Sequence, residues 1–328
     1  MPESEIVRLA KSQKRKILER DAEVMRELTR RWLDVEKALE AEMLNTALQL
    51  SSEQMVTDAM VLKNKRFQNL MYQARAEYSK YAEQFEKRAV YLQEVNAGLG
   101  LKDAAAMLDT SLKMAGVQTT FDKLNVEALN MVFGFTADGT PLKTLLDKSY
   151  GEAATSMVDK LVGGLAKGLN PTKVARNMAD GFGEKVLQRA LTIARTEQLR
   201  AYRMGTLEQY RDSGMVVQYK RMATHDDLTC VGCLFADGET FDSVDEFSEH
   251  PNGRCTLVPI VVGLEAPTWE SGQQWFENLP ADRQMSILGQ SRYDAWQNGT
   301  PLSEMSKHLE NSTWGGSFVP TPLSELSE

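Results

Sequence analysis

The sequence predicts a predominantly helical α+β protein, in which long amino-terminal helices precede a small α+β module with short antiparallel strands. The helices are predicted because no proline occurs between Pro2 and Pro141, and the first glycine is Gly98. The strands are predicted because short runs of β-branched and aromatic residues follow Gly214. With 328 residues, 42% hydrophobic and 26% charged, the chain has the composition of a globular protein with two or three folded units.

Residues 1–97 are predicted to form two long helices, packed as an antiparallel hairpin or continued into a bundle. Apolar residues recur there every three or four positions in two stripes, which favours a core or a subunit contact over a ligand site. The first stripe is Met25, Leu28, Trp32, Val35, Leu39 and Met43, and the second is Phe67, Met71, Ala74, Tyr78, Tyr81 and Phe85. A short turn is expected at residues 49–54, where two serines precede a glutamate.

Residues 98–182 are predicted to form shorter helices separated by glycine-containing turns. Near the end of this range, Asn170 can accept hydrogen bonds from free backbone amides, and Pro171 suits the first position of a helix. The helical segment after Gly183 is expected to end at Gly214, a suitable carboxyl-terminal cap.

The small module occupies residues 183–265. Its two candidate strands are residues 216–219 and 257–262, and it has too little apolar content to close a core easily by itself.

Residues 266–328 are predicted to hold short helices and a flexible tail. One helix is expected after Thr300 and Pro301, with Leu302, Met305 and Leu309 on one side. The tail is expected to begin at Asn311, where serine, glycine and proline dominate.

The distribution of charge argues against a protein that binds nucleic acid over its whole surface. The net charge is -8, and residues 201–328 carry 8 Lys and Arg against 19 Asp and Glu. Such an acidic part repels a phosphate backbone unless a local basic patch outweighs it. The longest apolar run, residues 257–264, is too short to span a membrane, and the charged amino terminus argues against secretion.

The three cysteines and one of the three histidines lie within 26 residues and predict a metal site. Two residues separate Cys230 from Cys233, sixteen more precede His250, and four more precede Cys255. Two thiolates from a tight turn and a second pair brought back by a hairpin form a tetrahedral set suited to zinc. Four protein ligands leave no open position, so we expect a structural zinc that staples the module together. The alternative is three reduced cysteines beside an unrelated histidine.

No catalytic residues and no further cofactor are predicted, so we do not expect an enzyme. The sequence lacks the G-x-x-x-x-G-K-[ST] phosphate-binding loop and the G-x-S-x-G and H-E-x-x-H motifs. His225, Asp226 and Asp227 are adjacent, so their side chains point in different directions. We interpret them as a charge cluster at the entry of a loop and not as an acid–base set.

A set of short motifs follows in order from Ala166 to Val262. They are AKGLNPTKVARNMADGF, then IARTEQLRAYRMG with Ala194 to Glu197, then DDLTCVGC, DGETF and HPNGRCTLVPI. In order and spacing they resemble the phage head morphogenesis, or minor head protein, family typified by the F protein of phage Mu. One departure is Gly253, which stands where relatives often have a cysteine, so His250 becomes more necessary to a metal site.

The resemblance implies a phage minor head protein that acts in head morphogenesis at or near the portal, with assistance to DNA packaging or ejection as a further role. The expected partners are the portal protein, the major capsid protein or both, together with self-association through the helices of residues 5–97. DNA contact is left open, and no membrane span is expected. The expected location is the virion head, reached from the host cytoplasm during assembly. The alternatives are a zinc-binding nucleic-acid adaptor and an unrecognised nuclease or transferase.

Overall fold

The computed structural model describes residues 3–53, 55–117, 129–130, 133–243, 247 and 249–326. Its helices are α1 (Glu5–Leu50), α2 (Asp58–Lys63), α3 (Lys65–Met114), α4 (Leu142–Ala166), α5 (Pro171–Ser213), α6 (Val231–Phe235), α7 (Gly272–Glu277), α8 (Ala281–Leu288) and α9 (Gln290–Gln297). Its strands are β1 (Val216–Met222), β2 (Thr240–Asp242), β3 (Thr256–Val261), β4 (Ser306–Asn311) and β5 (Gly315–Pro320). This is a predominantly helical α+β structure with small antiparallel sheets, which confirms the predicted fold class.

The chain divides into two compact units. Unit 1 consists of residues 1–20, 92–139 and 196–328, and unit 2 consists of residues 21–91 and 140–195. Helices α1, α3 and α5 each contribute residues to both units, so the units do not follow one another along the chain. Of the helices in the described ranges, none is both long enough and apolar enough to cross a bilayer.

Unit 2 has an aromatic core built from the two predicted stripes. Every residue of the first stripe is buried, and in the second stripe Met71 alone is partly exposed. The ring of Trp32 meets that of Tyr81 edge to face with centroids 5.1 Å apart, and that of Phe182 at 5.5 Å. The indole N–H of Trp32 donates to Glu36 Oε1 at 2.6 Å, so this buried group keeps a partner. The interpretation of the stripes as core is confirmed.

Helix α3 does not end near Gly98, as the sequence analysis expected, but continues to Met114. Two glycines, Gly100 on α3 and Gly205 on α5, permit a close approach of these helices within unit 1. A Cβ atom on Gly100 would lie 1.9 Å from the carbonyl oxygen of Tyr202, and one on Gly205 would lie 2.1 Å from that of Ala97. Because a side chain cannot fit there, glycine is needed inside both helices. Residues 118–128 and 131–132 of the predicted short-helix range lie outside the described residues.

The predicted caps of α5 are confirmed. Asn170 Oδ1 accepts from the backbone N–H of Lys173 at 2.9 Å, and the helix begins at Pro171. It ends at Ser213, and Gly214 follows with a φ of +62°. Contrary to the expected turn before Gly183, the helix runs without a break through Gly181 and Gly183.

The two predicted strands pair with each other and with a third, very short strand. Strand β1 lies between β2 and β3 in an antiparallel sheet, with Tyr219 opposite both Phe241 and Pro259. The apolar side of this sheet packs in unit 1 against residues of α1, α3 and α5, among them Val7, Leu108 and Tyr210. The helices therefore supply the core that the module lacks by itself.

The carboxyl-terminal prediction was partly wrong. Helices α8 and α9 form, but the residues after Pro301 make a turn and not a helix, and strands β4 and β5 pair as an antiparallel hairpin where a flexible tail was expected. Leu302 and Met305 are buried, whereas Leu309 is half exposed on β4. Their helical spacing was therefore coincidental. Trp314, at the turn of the hairpin, is buried and donates its indole N–H to Glu197 Oε1 at 2.8 Å.

Candidate metal centre

Two turns of the module bring the predicted ligands together. Cys230 is the amino-terminal cap of the short helix α6, and its Sγ accepts from the backbone N–H of Cys233 at 3.4 Å. The turn before it is closed by Asp226, whose Oδ1 accepts from the backbone N–H of Leu228 at 3.0 Å. His250 and Cys255 come from the loop that leads into β3. The Cys230–Cys233 end of the predicted pattern is therefore held by local backbone geometry.

The four predicted residues form one continuous cluster. His250 Nε2 lies 3.3 Å from Cys230 Sγ and 3.2 Å from Cys233 Sγ. The ligand atoms of Cys233, Cys255 and Glu249 lie within 4.8 Å of one another, so Cys233 joins the two groups. A zinc ion with bonds of about 2.0 to 2.3 Å holds tetrahedral sulfur and nitrogen ligands roughly 3.5 Å apart. The donor types of all four residues, and the separations among Cys230, Cys233 and His250, could therefore suit a metal ion of this kind, whereas Cys255 joins this group only through Cys233.

The imidazole of His250 is oriented for this role. Its Nδ1 lies 2.9 Å from the carbonyl oxygen of Pro251, so a proton on Nδ1 is donated to the backbone and Nε2 faces the thiols. Burial lowers the pKa of His250, but the hydrogen bond with Cys230 and the charge of Glu249 outweigh burial and raise the pKa to about 9. In the protein without metal, a cationic imidazole is thus favoured beside the sulfur of Cys230.

The pKa values of the Cys230 and Cys233 thiols shift in opposite directions. A hydrogen bond from Cys233 lowers the pKa of Cys230, since it stabilises the Cys230 thiolate. The same hydrogen bond raises the pKa of Cys233, which keeps its proton. A metal ion would replace these protons, because it binds the thiolate form.

Glu249 lies beside the cluster, although the sequence analysis did not single it out. Its Oε2 accepts from an Nη of Arg221 at 3.0 Å, and its Oε1 accepts from the backbone N–H of His250 at 3.1 Å. Burial alone would raise the pKa of Glu249, but the neighbouring cations, Arg221 first, outweigh it and hold the pKa below its ordinary value. The signals in the sequence were its position before His250 and the acidic loop around it.

Helix α5 positions the loop that carries His250 and Cys255. Thr196 Oγ1 accepts from the backbone N–H of Asn252 at 3.0 Å, and Asn252 has a φ of +64°. The guanidinium of Arg203 donates to the carbonyl oxygens of Gly253 and Cys255, each at 3.3 Å. The IARTEQLRAYRMG motif therefore holds the second pair of candidate ligands in place. Neither Thr196 nor Arg203 was predicted from the sequence to have this role.

The position of Gly253 explains the departure from the expected motif. A Cβ atom there would lie 1.9 Å from Cγ of Glu249 and 2.8 Å from the carbonyl oxygen of His250. A cysteine at this position would displace Glu249 or move the backbone. The buried glutamate thus occupies the space that a further thiol would need.

The residues His225 to Asp227 do not form an acid–base set, as interpreted from the sequence. His225 Nε2 lies 2.8 Å from Asp237 Oδ2, and its ring stacks on that of Trp275 with centroids 5.3 Å apart. Asp226 instead binds Arg254 at 2.6 Å, and Asp227 binds Arg283 at 2.9 Å. The three side chains thus bind three separate partners.

The cysteine cluster lies in a part of the chain that matches a known protein family. Residues 155–258 match the family model described as Phage Mu protein F like protein. This part of the chain is Mu F-like. The match confirms the resemblance seen in the motifs and supports a phage head-related protein associated with other head proteins in the virion.

The Mu F-like region includes all four candidate ligands as well as Thr196 and Arg203. No curated protein and no solved structure is significantly similar to the chain.

Proposed function

We propose that the protein is a non-catalytic minor head protein that acts in head morphogenesis at or near the portal, with the portal protein, the major capsid protein or both as partners. The observation that carries the proposal is the Mu F-like region at residues 155–258. The long helices α1 and α3 support it, because helices of 46 and 50 residues offer extended surfaces to other helical subunits. Assembly takes place in the host cytoplasm, and assistance to DNA packaging or ejection is part of the same proposal.

The assembly role is tested by two measurements. Mass spectrometry of purified procapsids and mature virions should detect the protein in at least one of them. Co-expression with the portal protein or the major capsid protein should give a complex that survives size-exclusion chromatography, with each protein expressed alone as the control. Absence from both particles, or separate elution from both partners, would contradict the proposal.

We propose further that Cys230, Cys233, His250 and Cys255 hold one structural zinc. The distances at His250 Nε2, the hydrogen bond that orients its ring and the contacts of Thr196 and Arg203 support this assignment. When bound, the ion would cross-link the start of α6 to the loop before β3. With four protein ligands it would have no open position for an activated water.

The zinc assignment is tested by metal analysis and by removal of one ligand. The purified chain should contain about one zinc per molecule, and a chelator should lower its thermal midpoint. Cys233→Ser should lower the midpoint in the absence of chelator, by roughly 6 to 12 °C if about 3 kcal/mol is lost. The chelator should then have little further effect on the variant. A zinc-free protein after gentle purification would refute the assignment.

The charges near the cluster do not favour the nucleic-acid adaptor. Residues 201–250 carry 4 basic and 10 acidic residues, and Arg203 and Arg221 are buried. Buried guanidinium groups are not available to a phosphate backbone. DNA binding by the full chain that weakens steeply with added salt would revive this alternative.

A further inference from the structure

Four cationic side chains surround the cysteine cluster in unit 1. Arg221 pairs with the carboxylate of Glu249, and Arg254 pairs with that of Asp226. The other two, Lys14 and Arg203, are buried and donate to backbone carbonyl oxygens. Among the residues that the structure describes, neither of these two forms an ion pair with a carboxylate. Two buried positive charges are therefore left without a direct counter-charge.

Lys14 comes from a distant part of the chain. It lies on α1, and its Nζ donates to the carbonyl oxygen of Met222 at 2.7 Å, at the end of β1. Met222 is opposite Thr256, the residue after Cys255, and the next residue, Ala223, packs against Cys233 and Cys255. Burial lowers the pKa of Lys14 to about 8, while charges on Cys255, Asp237 and Cys233 act in the opposite direction. The ammonium group is thus connected, through Met222 and the neighbouring Ala223, to the side of the cluster that holds these two cysteines.

A buried ammonium group is unfavourable unless a negative charge compensates it. Asp237 forms no ion pair with Lys14 among the described residues, and its Oδ2 lies instead against His225 and the indole N–H of Trp269. A zinc ion bound by three thiolates and a neutral imidazole would carry one net negative charge, located largely on sulfur. Such a centre would supply the missing charge. Cations and donors around a metal site in turn strengthen its ligands.

We propose that Lys14 is an outer-sphere cation of the metal centre and couples metal binding to the docking of the first turns of α1. The inference rests on the zinc centre proposed above. Bound zinc keeps the cysteines in the thiolate form, and the negative charge of the thiolates stabilises the buried ammonium group of Lys14. By linkage, a docked Lys14 raises the affinity of the cluster for zinc. The first turns of α1 thereby belong to the metal module although more than 200 residues separate them in sequence.

The first test compares metal affinity in matched variants of the full chain. Lys14→Met removes the buried charge, and Lys16→Met removes an exposed charge two residues further along the same helix. Competition with a chromophoric chelator should show zinc binding about tenfold weaker in Lys14→Met. In Lys16→Met the affinity should stay within about twofold of the parent chain. Equal affinities in the two variants would overturn the role of Lys14.

A spectroscopic readout separates an effect of charge from a mere loss of packing. With cobalt(II) in place of zinc, the thiolate-to-metal charge-transfer band should move to lower energy in Lys14→Met. The reason is that a nearby cation stabilises the sulfur electrons, and its removal makes them easier to promote. Weaker binding with an unmoved band would mean that Lys14 acts through packing alone, and would overturn the proposal.

Hydrogen exchange on the parent chain tests the coupling without any variant. Removal of the metal by a chelator should accelerate amide exchange in residues 8–20 by about tenfold or more, since docking of α1 loses its charge partner. Unchanged exchange there would overturn the coupling.

The zinc centre and the role of Lys14 can be refuted separately. A parent chain that binds neither zinc nor cobalt removes both the centre and the role of Lys14. If the parent chain binds metal and Lys14→Met binds it with the same affinity as Lys16→Met, only the role of Lys14 is refuted.

Discussion

Thr196 Oγ1 accepts a hydrogen bond from the backbone N–H of Asn252 at 3.0 Å, and this contact joins helix α5 to the loop of the candidate metal centre. Asn252 lies between His250 and Cys255, and its φ of +64° is in the left-handed region that few residues other than glycine adopt. A single buried threonine thus helps to set the separation of two candidate ligands. Within the Mu F-like region, this contact therefore ties helix α5 to the loop that carries two of the candidate ligands.

Replacement of Thr196 by valine tests this relationship. Thr196→Val keeps the shape but leaves the N–H of Asn252 without this acceptor, so we expect a loss of about 1 to 2 kcal/mol in the free energy of unfolding and weaker zinc binding. Thr110→Val is a suitable control, because Thr110 Oγ1 donates to the carbonyl oxygen of Ala106, one turn earlier in its own helix. Urea unfolding and chelator competition measure the two effects. Equal losses of unfolding free energy and of zinc affinity in the two variants would contradict the positioning role of Thr196.

Two neighbouring glycines of α3 should respond to alanine in opposite ways. A Cβ atom on Gly98 meets nothing within 4 Å, so Gly98→Ala should stabilise the protein by about 0.5 to 1 kcal/mol. Gly100→Ala would place its Cβ against the carbonyl oxygen of Tyr202 and should cost about 2 kcal/mol or more. Urea denaturation measures the free energy of unfolding of both variants. Two stabilised variants would show that α3 and α5 do not approach as closely as described.

The carboxylate of Glu36 gives a pH-dependent prediction. Burial raises the pKa of Glu36 above its ordinary value, and the hydrogen bond from Trp32 offsets this only in part. The folded protein therefore holds the proton more tightly than the unfolded chain, and the ionised form at neutral pH lowers the free energy of unfolding. Glu36→Gln keeps an oxygen acceptor for Trp32 and should be more stable than the parent chain at pH 7. Because Glu36 is only half-buried, the gain should stay below about 1 kcal/mol.

The gain should shrink as the pH falls through the folded pKa of Glu36, and should vanish below the unfolded value of about 4.3. Glu40→Gln changes an exposed carboxylate one turn further along α1 and provides the control. Thermal unfolding between pH 4 and pH 7 measures both variants. An advantage of Glu36→Gln that persists unchanged at low pH would contradict this account.

The indole of Trp314 ties the carboxyl-terminal hairpin to the buried carboxylate of Glu197. Trp314→Phe keeps an aromatic ring but removes the N–H donor, so we expect a loss of about 1 to 3 kcal/mol in unfolding free energy. Trp296→Phe makes the same change at a partly buried ring that packs edge to face on Phe276. The difference between the two variants isolates the hydrogen bond. A difference near zero would mean that Glu197 does not depend on the hairpin.

Local pattern was sufficient for several elements. The stripes around Trp32 and Tyr78 predicted the core of unit 2, because helical periodicity is encoded by neighbours three and four residues apart. The caps at Asn170 and Gly214 were predicted for the same reason, since a cap is a contact within one turn. The grouping of Cys230, Cys233, His250 and Cys255 also followed from spacing, because two tight turns bring them together.

Non-local contacts account for the predictions that were wrong. The long helices were expected to end before Gly98, whereas α3 continues to Met114 and its Gly100 permits the approach of α5, which lies about a hundred residues later in the chain. The spacing of Leu302, Met305 and Leu309 indicated a helix, but pairing with β5 makes the last of them part of a strand. Thr196 and Lys14 carry no signal in their own neighbourhoods, because their partners come from other elements, whereas the signals for Glu249 were its position beside His250 and its acidic loop.

The amino-acid order by itself determined the helical class, the limits of α5, the two main strands and the set of candidate ligands, since each depends on residues close together in the chain. Only the tertiary structure decided which glycines lie between helices, how the last residues pair, and which buried charges surround the cysteines. Whether a buried charge is stabilised, and whether a glycine is required, depends on the atoms that surround it in the folded protein. Those atoms come from distant parts of the chain and cannot be identified from the local sequence.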